Sequence, residues 1–142
     1  MQIKNKIILI FFFTINFFLI NINLYADEFN IVAKEISIDK KKNILTGVGS
    51  VIVTDIDGNI IKANKVIYDK SKEFLTAIGS VVVIDVDGNI LTSEKITYNK
   101  LNEVMNTFKS TKVNLQNKYT LITTNIKYEL KNKIISSNQN SI

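Results

Sequence analysis

A run of seventeen residues occurs twice in this chain, thirty positions apart. Ile44-Leu45-Thr46-Gly47-Val48-Gly49-Ser50-Val51-Ile52-Val53-Thr54-Asp55-Ile56-Asp57-Gly58-Asn59-Ile60 returns as Phe74-Leu75-Thr76-Ala77-Ile78-Gly79-Ser80-Val81-Val82-Val83-Ile84-Asp85-Val86-Asp87-Gly88-Asn89-Ile90. Over 33–60 against 63–90, roughly half of the positions are identical without a gap. A fixed period of this size requires one supersecondary unit to be used again and again, with each copy burying its apolar face against the next.

The unit is built of strands. From Phe29 onward the hydrophobic period is two: Phe29, Ile31 and Ala33 alternate with Asn30, Val32 and Lys34, and β-branched residues dominate. Polar turns at Lys40-Lys41-Lys42-Asn43 and Asp69-Lys70-Ser71-Lys72 alternate with tight turns at Asp57-Gly58 and Asp87-Gly88, where glycine accepts positive φ. The spacing predicts strands over 29–38, 44–56, 59–68, 74–86, 89–98, 104–115, 119–128 and from 134 to 136, with no helix after residue 26. The third unit keeps the period but has Phe108-Lys109-Ser110 where a Gly-Ser is expected.

One register recurs at thirty-residue steps. Ile36 and Ile38, Val66 and Tyr68, Ile96 and Tyr98, Ile126 and Tyr128 each place two residues on one strand face. In a sheet they form an apolar ladder ending in tyrosines. The glycine-bearing strands are apolar on both faces: Val51 and Val53 point one way, Ile52 and Ile56 the other. One such face fills a core; the second needs another sheet, a partner or a lipid.

Residues 1–26 have the layout of a secretory signal: Lys4 and Lys6, an apolar run from Ile7 to Ile20, then Leu24-Tyr25-Ala26 before Asp27. Asn16, Asn21 and Asn23 interrupt the roughly 20 apolar residues that a spanning helix needs. Cleavage after Ala26 and a domain over 27–142 are therefore expected, with an uncleaved anchor as the competing reading. Such export would place the domain in the periplasm.

Composition narrows the chemistry. The 142 residues include no Cys, His, Pro or Trp, and every cation is Lys. Disulfides, thiolate metal sites and a histidine base at neutral pH are excluded. Of the formal charge of +5, about +3 remains once residues 1–26 are removed, spread along the chain without a block. No basic stripe with stacking aromatics is readable, so nucleic acid is not an expected partner. Asp55, Asp57, Asp85 and Asp87 are the sharpest polar feature, and they are the weak candidates for a metal. In Asp-x-Asp-Gly-Asn, however, glycine stands fourth where a calcium loop wants it sixth, and no glutamate follows at twelve. Solvated carboxylates on hairpin tips are the expected reading, with no metal and no cofactor. No nucleophile stands with a base, so the chain reads as no enzyme and no residue as catalytic.

The order Gly49-Ser50-Val51-Ile52-Val53-Thr54, a turn, Ile61-Lys62-Ala63-Asn64-Lys65-Val66-Ile67-Tyr68-Asp69, then Ala77-Ile78-Gly79-Ser80-Val81 resembles the pattern of the OstA-like lipopolysaccharide-transport family. That family comprises the bridge protein LptA, the anchored LptC and the N-terminal domain of LptD. The resemblance covers about residues 29–136. It implies an all-β, V-shaped β-jellyroll of two-strand repeats whose interior takes lipid A acyl chains. It also implies joining to other OstA-like domains by edge-strand pairing, here through 29–38 and 134–136, in a bridge between inner and outer membranes. By the same match Phe29 and Ile31 line one end of the groove, and Ile36, Ile38, Val66, Tyr68, Ile96, Tyr98, Ile126 and Tyr128 its length. On that view Tyr98→Asp would weaken lipid capture and spare the fold. The missing glycines of the third unit bear on the fit of the C-terminal wall. The rivals are an adhesive β-repeat module that binds a protein partner without lipid, and an LptC-like anchored component.

Overall fold

The computed structural model describes residues 29–116 and 118–137, and the signal or anchor segment 1–26 lies outside them. Ten strands follow one another: β1 Phe29–Val32, β2 Glu35–Asp39, β3 Ile44–Asp55, β4 Ile60–Asp69, β5 Phe74–Ile84, β6 Ile90–Asn99, β7 Val104–Leu115, β8 Tyr119–Thr124, β9 Ile126–Glu129 and β10 Ile134–Ser137. All pairings are antiparallel in one sheet, ordered β1-β3-β4-β5-β6-β7-β9-β10, with β2 also on β3 and β8 also on β7. The thirty-residue unit is thus a hairpin pair, as its turn spacing predicts. Two predicted strands are broken. The first divides at Ala33-Lys34, and the one over 119–128 divides at Asn125, where φ is +56°.

Those breaks belong to a line of bulges crossing the sheet. Register shifts fall between Val48 and Val51, Lys62 and Lys65, Ile78 and Val81, and Ser93 and Lys95. A bulge bends its strand and adds twist, and a row of them folds the sheet over on itself. Rows on either side of the line then face each other. Phe29, opposite Asp55 in one half, packs edge-on to Tyr68 of the other at 4.9 Å between ring centroids, and to Tyr98 at 5.9 Å. The core lies between the halves, with Val51, Val53, Val66, Leu75, Ile96 and Met105 all buried. At the inner bend, a Cβ on Gly47 would lie 3.3 Å from Ala33 Cβ and 3.4 Å from Val51, so the smallest residue permits this close approach.

The bulges need left-handed residues: Gly49 and Gly79 both have φ +81°. The third unit keeps its bulge with Lys109 at φ +70°, so the missing glycine costs local strain and does not remove the wall. Buried hydroxyls reinforce it. Thr111 Oγ1 donates to Thr107 Oγ1 at 2.8 Å, and Thr107 Oγ1 accepts from the Ile126 amide at 2.9 Å. The importance of the line can be measured. Gly79→Ala would place a methyl 2.8 Å from Asn64 Nδ2 as well as forcing positive φ, and should cost about 2–3 kcal/mol. Gly88→Ala has the same φ of +81° and nothing within 4 Å, so it should cost only about 1 kcal/mol. Urea midpoints that fall equally for the two variants would contradict a packed bulge line.

Candidate functional site

The inner face of the folded sheet is made of continuous rows. Residues directly opposite in antiparallel register share a face. Ile38, Leu45, Tyr68, Leu75, Tyr98, Met105, Tyr128 and Ile135 therefore form one row crossing eight strands. Ile36, Gly47, Val66, Ala77, Ile96 and Thr107 form the next. Of the predicted groove residues, Ile36, Ile38, Val66, Tyr68, Ile96, Tyr98 and Tyr128 fall in these two rows, while Phe29, Ile31 and Ile126 lie outside them.

Their surroundings differ. Phe29, Val66, Tyr68, Ile96, Tyr98 and Ile126 are buried, while Ile31 and Tyr128 are half-buried. Ile36 and Ile38 stay 48% and 61% exposed, because β2 overhangs the end of the row. At β1 and β2 the rings of Phe29, Tyr68 and Tyr98 interlock across the fold. Toward the C-terminal end the rows become hydroxylated. Where the first units have Val51, Ala63 and Val81, the later ones have Ser93, Thr111 and Thr123, all buried.

Polar contacts between the two lips of the fold close its mouth. The Lys100 amine lies 2.6 Å from Asp57 Oδ2 and 4.0 Å from Asp55 Oδ2, with the lysine side chain only 8% exposed. Tyr128 donates to Asp85 Oδ2 at 3.2 Å, and Lys133 pairs with Asp87. These partners are 43 to 46 residues apart, so the latch ties successive repeats across the fold. Desolvation opposes the charge on Lys100, but the hydrogen bond to Asp57, with Tyr98 and Asp55 beside it, outweighs that and holds its pKa above the usual lysine value. Burial above all pushes the phenols of Tyr98 and Tyr128 up to about 12.

The acidic turns have a structural use. Asp55 Oδ1 accepts from the amides of Asp57 at 3.0 Å and Asn59 at 2.8 Å, and Oδ2 accepts from Asn59 Nδ2 at 2.8 Å. Asp85 repeats the arrangement with Asp87 and Asn89 at 3.0, 2.9 and 2.8 Å. Asp55 is 8% exposed, so it is no solvated tip residue. Among the described residues no group of three or more acidic, His or Cys side chains is arranged to hold a metal. Sequence reasoning missed Lys100 as well, seeing only lysines spread along the chain without a block. Its only signal is its place one residue beyond the Tyr98-Asn99 strand end.

A cavity of about 150 Å³ lies at the mouth, lined by Asp57, Asp85, Asp87, Tyr98, Tyr128 and Lys133 among others. A slot of about 10 Å³ lies deeper, against Val83, Leu91, Val113 and Ile135. Both are smaller than the roughly 300–1,000 Å³ of an open ligand site. At these two places the interior is closed over its own side chains, whereas an opening of about 380 Å³ reaches Thr107 and Ile126 between β7 and β9.

Among solved structures the chain is similar to LptH from Pseudomonas aeruginosa, described as the LptA-homologous periplasmic component of the conserved lipopolysaccharide transport device. The TM-score is 0.70 at 21% identity, over 79% of this chain and 82% of that one. The fold is an LptA-like β-jellyroll. No family model matches the chain, and no curated protein matches it. At this identity the likeness to LptH is one of fold.

Proposed function

We propose that the chain is a periplasmic carrier that takes the acyl chains of lipopolysaccharide between the halves of its sheet, within a bridge from inner to outer membrane. The observation that carries this reading is the pair of apolar rows running unbroken across the strands of an LptA-like fold. Residues 1–26 act as a leader that is removed, and 27–142 form the transported domain. The chain works without catalysis. Acyl surface leaving water contributes about 25 cal/mol per Å², and the energy for directed movement comes from elsewhere.

Entry needs the two halves to part. β1 is the element best placed to yield. It is four residues long, pairs only with β3 among the described residues, and carries the Phe29 ring that lies against Tyr68 and Tyr98. Withdrawing it would expose the tyrosine row at one end. Neighbouring domains would continue the rows by β-augmentation. β2 is the docking edge on one side: all five of its residues are exposed, and Ile36 and Ile38 end the inner rows uncovered. β10 is the opposite edge, with Ile135 at the other end of the same row as Ile38.

The test is a photo-crosslinking residue at Tyr98 in the full-length chain, expressed in a host that makes lipopolysaccharide. A lipid adduct at position 98, absent from an exposed control at Lys41, is the expected result. An exported, folded protein that gives only protein adducts would support the adhesive-module reading. Sequencing the N-terminus of the same sample reads the leader; an intact Met1 would support the anchored one.

A further inference from the structure

The outer face carries a pattern that the sequence hides. Next to the bulge line, Glu35, Val48, Lys65, Ile78, Lys95 and Phe108 lie opposite one another in a row across six strands. On the other side of the line runs Val32, Ile52, Lys62, Val82, Thr92, Lys112 and Ile122. Lysines and aliphatic side chains thus interleave on the ridge where the sheet bends. Val32, Val48, Ile52, Ile78, Phe108 and Ile122 are between 38% and 57% exposed. Lys62, Lys65, Lys95 and Lys112 have no carboxylate partner among the described residues, and the Lys95 amine sits 4.9 Å over the Phe108 ring. Glu94 and Lys109, between the rows, pair with each other at 2.7 Å. At the mouth, by contrast, the lysines have carboxylate partners: Asp55, Asp57, Asp85, Asp87 and Glu103 surround Lys100 and Lys133.

We propose that this ridge is a docking surface for an anionic lipid bilayer, laying the back of the sheet on the membrane with the mouth turned away. Charge complementarity selects the partner. Four unpaired ammonium groups favour a negative surface. The aliphatic side chains between them match the headgroup boundary, where apolar groups gain by partial insertion. A nucleic acid would be read by stacking aromatics, and Phe108 is the one aromatic in these rows. Lysine, a strongly hydrated point charge, suits a fluid field of phosphates better than a shaped acidic protein pocket. The inference goes beyond the carrier reading and does not depend on it, since it concerns the opposite face and a bilayer rather than a bound lipid.

The test is flotation of the exported protein with vesicles of phosphatidylglycerol and phosphatidylcholine, free of lipopolysaccharide. Binding is expected at low salt, and it should fall steeply as salt is raised. It should also fall by roughly fivefold for each of Lys62→Gln, Lys65→Gln, Lys95→Gln and Lys112→Gln. The triple variant Lys40→Gln, Lys41→Gln, Lys42→Gln removes three charges from a distant turn, against one in each ridge variant, and should bind as the parent does. With no histidine in the chain, binding should be unchanged between pH 5.5 and 8. The salt titration of the parent needs no variant to fold. No flotation at low salt, equal loss in ridge and turn variants, or binding to single-stranded DNA in preference to vesicles would each overturn the proposal. Ile52→Ser with Ile78→Ser should weaken binding with all lysines kept; unchanged flotation would remove the insertion argument. The Tyr98 crosslink is unaffected by any of these results, so this proposal and the carrier reading can fail separately.

Discussion

Tyr98→Asp is expected to unfold the protein, while Tyr98→Phe leaves it folded and makes it less sensitive to alkali. The groove assignment implied by the family resemblance suggests that Asp at 98 would spare the fold, because a groove-lining side chain should tolerate polarity. Burial overturns that. Tyr98 is 2% exposed and packs against Phe29. Truncating such a ring costs about 3–5 kcal/mol, and the new carboxylate would sit beside Asp55 and Asp57. Together these approach the whole 5–15 kcal/mol of a typical domain. Phe keeps the ring packing and removes only the hydroxyl. That hydroxyl has its pKa raised from 10.0 to about 12, first by burial. Because the folded value lies above the unfolded one, its stabilisation is complete below pH 10 and is lost as pH climbs through 12. The loss is at most about 2–3 kcal/mol. Tyr128, raised likewise to about 12, supplies a second such loss that Tyr98→Phe retains. Urea denaturation at pH 8 and pH 11.5 should show the parent losing more than Tyr98→Phe. Equal losses would mean that the Tyr98 phenol is not held neutral by its surroundings.

How far the fold was legible follows from which interactions are local. Alternation is a property of neighbouring residues, so the strands and the shared face of Val66, Tyr68, Ile96, Tyr98, Ile126 and Tyr128 could be read directly. The thirty-residue period also fixed the hairpins. Whether a face is covered depends on what lies opposite. Ile36 and Ile38 obey the same parity as Val66 and Tyr68 yet stay exposed, because β2 is an edge strand with β3 as its one neighbour among the described residues. The bulges were half visible. Gly49-Ser50 and Gly79-Ser80 mark them, but Lys109 takes positive φ without a residue type that announces it. Nothing local shows that the row of bulges doubles the sheet over. Every contact that depends on the doubling was hidden with it, including the Phe29–Tyr68 stack and the latch. The two lysine rows were hidden for a related reason. Lys62, Lys65, Lys95 and Lys112 look scattered along the chain, and only the cross-strand register collects them.

Lys100→Met should cost about 2–3 kcal/mol, far more than Lys133→Met, although both lysines pair with the second aspartate of an Asp-Gly turn. The difference is solvent. Lys100 and Asp55 have side chains 8% and 3% exposed, whereas Lys133 and Asp87 are 67% and 35% exposed. Water screens the outer pair, and an exposed ion pair contributes little. Removing Lys100 leaves the buried Asp55 charge without a counter-charge, which is the costly way to break a buried pair. Three hydrogen bonds from its own turn still satisfy Asp55, so the cost stays at the lower end of that range. Asp57→Asn should cost little, because Asp57 is 58% exposed and Lys100 keeps Asp55 at 4.0 Å. Adding Asp55→Asn to Lys100→Met should restore part of the loss, and a double-mutant cycle by urea denaturation measures it. Equal losses for Lys100→Met and Lys133→Met, or a cycle with no coupling, would dismiss the buried latch. The same variant also bears on the carrier reading. On that reading the latch joins the two lips that would part for an acyl chain to enter, so it would stabilise the closed state against the loaded one. Lys100→Met should therefore give a less stable protein that yields more of the Tyr98 lipid adduct at equal expression. A loss of stability from damage elsewhere in the core would lower both together.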